Sequence, residues 1–170
     1  AGGPNSAKPH AVPGDRPLRQ GDFFTMDYGA YWGGYCSDMT RTYFWKKADP
    51  KYTAIHDLVR EANEKAEMLI RPGVRFCDID AEARNHISAA GYGEYFTHRL
   101  GHFIGMEDHE KGDVSSVNTN TVQPDMIFSI EPGVYLPGEF GARVEDLVIA
   151  TEDGCELLNH VDKHVKILGI

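Results

Sequence analysis

Four acidic side chains interrupt segments that otherwise have the composition of buried strands, and one histidine lies in a run flanked by glycine. These five are Asp27, Asp38, His102, Glu131 and Glu145. Buried carboxylates without a partner are costly, and four of them close together would repel each other and take up protons. Two divalent cations balance the charge of four carboxylates, and oxygen-rich ligation with one imidazole suits Mn²⁺, Co²⁺, Fe²⁺ or Zn²⁺. The residue types therefore indicate a two-metal site without choosing between these metals.

The two aspartates have a simpler explanation when they are considered alone. Both lie near glycines within residues 23–43, and aspartate beside glycine is typical of turns and caps. His10, in a segment rich in Gly and Pro, likewise has the local pattern of a solvated loop residue. The metal site is favoured only because the rest of the chain supplies further ligands.

Local patterns predict the first elements that would position these side chains. Residues 23–43 are predicted as a hairpin that turns at its Gly-Gly pair. Apolar residues at three- and four-residue steps predict a helix over residues 52–70. A second helix is expected to have Asp78 as its N-cap, to run through Ala90 and to end at Gly91.

The second half of the chain is predicted mainly as strands. The strand segments are 126–135, which Pro132 and Gly133 should break, then 141–151, and then 156–158, which should pair back after a turn. Residues 1–20 and 111–124 have the composition of loops. A hairpin, two helices and then several strands predict an α+β fold, with an antiparallel sheet and helices packed on one face.

Composition limits the classes of partner. The net charge of −9 argues against a nucleic acid held by phosphate contacts. No apolar run approaches the roughly 20 residues that would span a bilayer, so no membrane association is expected. The three cysteines are widely spaced and odd in number, which predicts free thiols in a reducing compartment such as the cytoplasm.

Four motifs carry a resemblance to a known family. They are DYGAYWGGYCSDMTRT at 27–42, HRLGHFIGMEDHE at 98–110, SIEPGVY at 129–135 and GARVED at 141–146. In this order they resemble the catalytic part of the pita-bread metallopeptidases, the family of prolidase, Xaa-Pro aminopeptidase and methionine aminopeptidase. The resemblance extends over most of residues 4–160, and it implies the pita-bread fold, with a curved antiparallel sheet, for one catalytic domain over residues 1–170.

The resemblance also implies a role for each ligand. Asp27 would hold one metal ion, His102 and Glu131 would hold the other, and Asp38 and Glu145 would bridge them. A water between the two ions would be the nucleophile. Glu131 would also act as the general base and acid that moves this water's proton.

Further residues match family positions around the metals. His109 would hydrogen-bond the substrate carbonyl or the oxyanion, and His98 and His10 would line the substrate pocket, with His98 close enough to the chemistry to assist it. Thr40 and Arg143 would orient the carboxylates, and Arg143 would also face the substrate.

The activity implied by the resemblance is hydrolysis of the bond between an N-terminal residue and proline. SDMTRT, the His98/His102 pair and RVED resemble the prolidase and Xaa-Pro aminopeptidase branch more than methionine aminopeptidase. Two divalent ions, with Mn²⁺ preferred over Co²⁺, Zn²⁺ or Fe²⁺, a peptide with proline at its second position and a homodimer are the expected cofactors and partners. A dipeptidase and an aminopeptidase for longer peptides both remain open. A non-catalytic binding module and a metal-free hydrolase are disfavoured because all five ligand positions are filled.

The sequence departs from the family pattern at several places. It begins late relative to the family, so the N-terminal part of the fold is expected to be missing. Phe103 stands where a Gly is common and is expected to narrow the site beside His102. Asp125 also stands where Gly is frequent. Lys111 lies near the place where some dipeptidases carry a carboxylate-binding Arg, for which it would be a less specific substitute.

Overall fold

Helices and strands are both present, as the α+β prediction requires. The computed structural model describes residues 1–12 and 14–169. Its helices are α1 (Pro50–Leu69) and α2 (Phe76–Ala89), with short 3-10 helices at Gly3–Ala7 and Gly93–Tyr95. Its strands are β1 (Phe23–Trp32), β2 (Tyr35–Trp45), β3 (Gly101–Phe103), β4 (Glu110–Val114), β5 (Ile127–Ile130), β6 (Gly133–Leu136), β7 (Phe140–Arg143), β8 (Asp146–Ala150), β9 (Cys155–Leu157) and β10 (Ile167–Leu168). Neither helix combines the length and hydropathy needed to cross a bilayer, within the residues described.

The strands form three sheets. The β1–β2 hairpin carries β10 beside β2, the order β4-β3-β5-β8-β9 makes a five-stranded sheet, and β6 pairs with β7. Every pairing is antiparallel except that of β10 with β2. The predicted hairpin is therefore confirmed. The predicted loops are wrong in part, since they contain the 3-10 helix at Gly3–Ala7 and strand β4.

Helix α1 follows the predicted pattern closely. Pro50 occupies its first turn, and the Asp49 carboxylate accepts a hydrogen bond from the Lys51 amide at 2.9 Å, which caps the helix. On its apolar face, Ile55 and Val59 are fully buried in the core, and Leu58 and Leu69 are partly buried. Burial of this stripe against the sheets fixes the position of the helix.

The start of α2 was predicted wrongly. The N-cap is Arg75, and Asp78 lies inside the first turn, where its carboxylate binds the Arg75 guanidinium. The amides of Phe76 and Cys77 donate to main-chain carbonyls of the loop near residues 118–120, so a side-chain cap is not required. The C-terminal prediction is confirmed, since Gly91 follows the helix with a φ of 85°.

Two strand breaks lie side by side. The first separates β5 from β6 at Glu131 and Pro132, as predicted. The second separates β7 from β8 at Val144 and Glu145, where one continuous strand was expected. Since β5 pairs with β8 and β6 with β7, both glutamates lie where the chain passes from one sheet to another. The main chain at these two breaks is outside the regular strand pairing, so both glutamate side chains can face a common cavity.

Phe103 does not narrow the site, contrary to expectation. Its ring packs edge-on against Phe76, with ring centroids 5.3 Å apart, and also contacts Phe128. Neighbouring side chains on a strand face opposite ways, so His102 turns to the cavity while Phe103 turns to the core. Gly112 makes room, because a Cβ there would lie 2.6 Å from the Phe103 ring.

The other expected departure has a backbone explanation. Asp125 has a φ of 66°, in the left-handed region that glycine adopts most easily. A frequent family Gly at this position therefore reflects the turn before β5. Aspartate is among the few other residues that tolerate this conformation.

Replacing Phe103 with alanine should destabilise the protein without widening the site. Loss of the ring should lower the free energy of unfolding by about 3 kcal/mol, because a cavity would remain beside Phe76 and Phe128. Met68→Ala, at a residue 82% exposed on α1, is the control and should change it by less than about 0.5 kcal/mol. Urea unfolding measures both. A stability loss no larger than the control's would contradict the core position of Phe103.

Candidate metal centre

One cavity of about 430 Å³ is lined by the nine residues that the sequence predicts as metal ligands or substrate contacts. They are His10, Asp27, Asp38, His98, His102, His109, Glu131, Arg143 and Glu145. The hairpin supplies the two aspartates, β3 and the segments flanking it supply three histidines, and the two strand breaks supply the glutamates. Elements distant in the sequence thus meet at a single site.

His102 lies at the centre of the acids. Its Nδ1 contacts the Phe103 carbonyl at 3.1 Å, and since a carbonyl only accepts, Nδ1 carries the proton. In the neutral ring, Nε2 therefore presents a lone pair to the carboxylates. It lies 3.5 Å from Asp38 Oδ2, 3.6 Å from Glu131 Oε1 and 3.9 Å from Glu145 Oε1. This is the tautomer and orientation of a metal-binding imidazole.

Asp38, His102 and Glu145 form the tightest group. One donor atom from each lies within 4.8 Å of the others, and all three residues are buried. Asp27 differs from the expectation that every acid interrupts a buried segment. Its side chain is 46% exposed, and Oδ2 lies 2.5 Å from an Arg143 guanidinium nitrogen. Asp27 therefore marks the open side of the cavity.

Burial and mutual repulsion disturb the acids. Burial raises the pKa of Glu131 to about 6. Burial, followed by the charges of Glu131 and Asp38, raises the pKa of Glu145 well above its ordinary value. Burial also raises the pKa of Asp27, although Arg143 opposes it. Burial alone would lower the pKa of His102, but Asp38 and Glu131 raise it above normal. A divalent cation relieves this repulsion, so the residues present fit a metal.

Hydrogen bonds outside the acids hold them in place. The Thr40 hydroxyl donates to Glu145 Oε2 at 2.5 Å and accepts from Arg143 Nε at 3.1 Å. Arg143 also donates to the Tyr135 hydroxyl at 2.9 Å. Thr40 and Arg143 therefore contact the carboxylates they were predicted to orient.

Tyr135 is a site residue that sequence reasoning missed. Its hydroxyl lies 3.1 Å from His98 Nε2, while His98 Nδ1 donates to the Arg99 carbonyl at 2.7 Å. Nε2 must then accept from the tyrosine, which itself accepts from Arg143. Burial lowers the pKa of His98 to about 4 and raises that of Tyr135 to about 12, so both are neutral near pH 7. The available sequence signal for Tyr135 was its place as the last residue of the SIEPGVY motif.

Two further charged residues line the cavity and were also missed, Asp108 and Arg99. His109 lies in the same wall, with its ring centroid 4.1 Å from that of His102. Burial and the neighbouring His102 lower the pKa of His109, which favours a neutral ring with one N–H to donate.

Comparison with known proteins agrees with this geometry. Residues 1–152 match the model of Metallopeptidase family M24. The chain belongs to this family. It is 48% identical over 161 residues to an uncharacterised peptidase of Staphylococcus saprophyticus, covering 95% of this chain and 46% of that relative.

Solved structures extend the similarity to the fold. The chain superposes on a prolidase from Thermococcus sibiricus with a TM-score of 0.96 at 41% identity, covering 99% of this chain and 46% of that one. For an Xaa-Pro dipeptidase from Bacillus anthracis the TM-score is 0.96 at 40% identity, covering 99% and 47%. The pita-bread fold is thereby confirmed. The chain spans about half the length of the curated relatives that it matches.

The raised pKa of Glu131 predicts a pH dependence in protein stripped of metal by a chelator. A folded-state pKa of about 6 against 4.5 unfolded means stability is present below pH 4.5 and is lost as pH rises through 6. Between pH 5 and 7, Glu131→Gln should therefore lose about 1 kcal/mol less free energy of unfolding than the wild type.

Urea unfolding at the two pH values measures the difference. Glu139→Gln serves as the control, because the exposed pair of Glu139 with Lys51 lowers the pKa of Glu139 and so acts only at lower pH. Equal losses in the wild type and Glu131→Gln would contradict the electrostatic account of the cavity.

Proposed function

We propose that the protein is a dinuclear metal-dependent exopeptidase that hydrolyses the bond between an N-terminal residue and proline, with Xaa-Pro dipeptides as its substrates. One observation carries the proposal. His102 Nε2 faces three carboxylates in a cavity lined by further histidines. Similarity to a prolidase and an Xaa-Pro dipeptidase supports the choice of substrate.

The proposed ligand arrangement follows the motifs. Asp27 would hold one ion, His102 and Glu131 would hold the other, and Asp38 and Glu145 would contact both. Mn²⁺ is the first choice because four of the five ligands are carboxylates, with Co²⁺, Zn²⁺ and Fe²⁺ as alternatives. When bound, two divalent ions lower the pKa of a water molecule and stabilise negative charge on the scissile carbonyl oxygen.

Glu131 moves the proton in this proposal. It takes a proton from the attacking water and delivers it to the proline nitrogen, which leaves as a secondary amine because an Xaa-Pro bond is a tertiary amide. The Ser129 hydroxyl donates to Glu131 Oε1 at 3.2 Å and fixes its orientation.

The histidines bind the substrate. The neutral His109 ring donates its N–H to the scissile carbonyl oxygen as negative charge develops there. His98 is held by Tyr135 and the main chain, and with His10 and Arg143 it forms the wall that contacts the substrate. A rigid and partly aromatic wall suits the compact, apolar pyrrolidine ring of proline.

The dipeptide preference rests on Arg99 rather than Lys111. Lys111 is exposed on β4 and does not line the cavity, so the substitute proposed from the sequence is wrong in its position. Arg99 lines the cavity, and no acid of the described chain lies within ion-pair distance of its guanidinium. It is therefore available for the substrate's C-terminal carboxylate.

An Xaa-Pro aminopeptidase for longer peptides is the second candidate. The exposure of Asp27 favours it, because an open side of the cavity leaves space for residues after proline. The wider proposal includes a homodimer and a cytoplasmic location, and three free thiols support the latter.

The protein should release the N-terminal residue of an Xaa-Pro dipeptide when Mn²⁺ is supplied. Against the same dipeptide as its C-terminal amide, kcat/KM should be about tenfold or more lower, because Arg99 loses its charged partner. Glu131→Gln should reduce kcat on the dipeptide about a hundredfold or more, because the proton can no longer be transferred.

Glu139→Gln is the matched control and should leave turnover unchanged, since Glu139 pairs with Lys51 away from the cavity. Turnover of an Xaa-Pro-Xaa tripeptide in preference to the dipeptide would select the aminopeptidase. Near-normal turnover by Glu131→Gln would refute the proposed proton transfer.

A further inference from the structure

A chain of buried charged side chains lies behind the metal centre and does not line its cavity. Its four members, which we call the buried ion chain, are Arg41 on β2, Asp146 on β8, Lys163 in the segment after β9 and Glu67 on α1. Asp146 is fully buried, and Arg41 is 1% exposed. The buried ion chain therefore joins β2 and β8, which belong to different sheets, to helix α1.

Arg41 makes the contacts nearest to the centre. One terminal nitrogen donates to the Thr40 carbonyl at 2.9 Å and to the Glu145 carbonyl at 2.6 Å. The other donates to Asp146 Oδ1 at 2.7 Å and to the Val161 carbonyl at 2.7 Å. The guanidinium therefore holds the main chain of β2, which carries Asp38, and of the strand break that carries Glu145.

Lys163 and Glu67 extend these contacts to the end of β5, which precedes Glu131. Lys163 Nζ lies 2.8 Å from Asp146 Oδ2, and it donates to Glu67 and to Asn63 Oδ1 at 2.7 Å. The Asn63 amide in turn donates to the Ile130 carbonyl at 2.8 Å, one residue before Glu131. The main chain beside three proposed ligands is thus tied to one set of charges.

This arrangement supplies what the sheets themselves lack. Strands β2 and β8 belong to different sheets, and they meet through an isolated bridge between Thr40 and Glu145, with an amide-to-carbonyl distance of 3.1 Å. A single main-chain bridge constrains the angle between the two segments less than a regular ladder of hydrogen bonds would. Arg41 bonds to both carbonyls at this bridge and so fixes the separation of Asp38 and Glu145.

Stability alone is a weak reason for such a chain. Removing charges from water is costly, and a buried ion pair is often no more stabilising than apolar residues of similar volume. Charged groups do provide directional bonds, which apolar packing cannot. The buried ion chain lies directly behind the segments that carry the ligands, which indicates that it orients the main chain there.

We propose that Arg41, supported by Asp146, Lys163 and Glu67, is a positioning residue that sets the spacing of the bridging carboxylates for two metal ions. This inference rests on the ligand assignment of the proposed function. It adds that the buried ion chain, on the side of the sheet opposite to the substrate, controls metal affinity.

Arg41→Lys tests the inference while keeping the charge. Lysine cannot reach both carbonyls and the Asp146 carboxylate together, so the affinities for Mn²⁺ and Co²⁺ should fall about 10–100-fold. The visible absorption of the Co²⁺-loaded protein should also change, because the ligand geometry changes. Arg75→Lys makes the same exchange at the exposed pair with Asp78 and should leave affinity and spectrum unchanged.

Lys163→Met is the second variant, in case Arg41→Lys does not fold. It removes the outer end of the chain but leaves the Arg41–Asp146 pair, and a tenfold loss of metal affinity is expected. Lys51→Met, at the exposed pair with Glu139, is its control.

Titration with Mn²⁺ and Co²⁺ well below the unfolding temperature separates positioning from stability. A lower melting temperature with unchanged metal affinity and an unchanged Co²⁺ spectrum would overturn the inference. If the wild type itself binds no metal, the proposed function fails instead, so the two failures are distinguishable.

Discussion

The structure depends on keeping several carboxylates and one imidazole together in one largely buried cluster. Such a group is unfavourable by itself, because burial and repulsion raise the pKa values of Glu131 and Glu145. A bound divalent cation attracts each carboxylate, so the electrostatic energy of the cluster becomes favourable. The fold must therefore hold the acids close before a metal binds, and the hydrogen bonds around them serve that purpose.

Two kinds of support hold the acids. On the cavity side, Arg143 and Thr40 contact the carboxylates directly. Behind the sheets, Arg41 holds the main chain from which the ligands project. The adjacent strand breaks make both possible, because Glu131 and Glu145 leave the sheet ladder together. The positions of the carboxylates are thus fixed both from the cavity side and from behind the sheets.

Elements with local signals could be predicted from the sequence. The hairpin, α1, the end of α2 at Gly91 and the break after Glu131 all follow from glycine, proline or apolar periodicity. The start of α2 and strand β4 could not be predicted, because their hydrogen-bond partners lie elsewhere in the chain. The direction of Phe103 follows from strand alternation and could have been predicted.

The site shows the same division. The family resemblance identified the nine residues that meet in the cavity, whereas Tyr135 and Arg99 were missed because their importance appears only with their neighbours. The central claim is that the five ligands hold two metal ions. Elemental analysis after Mn²⁺ loading and gel filtration should find two ions per chain in the wild type and in Asp108→Ala, but none in Asp38→Ala, which lacks a bridging ligand. Two ions retained by Asp38→Ala, or fewer than two in the wild type, would contradict the account.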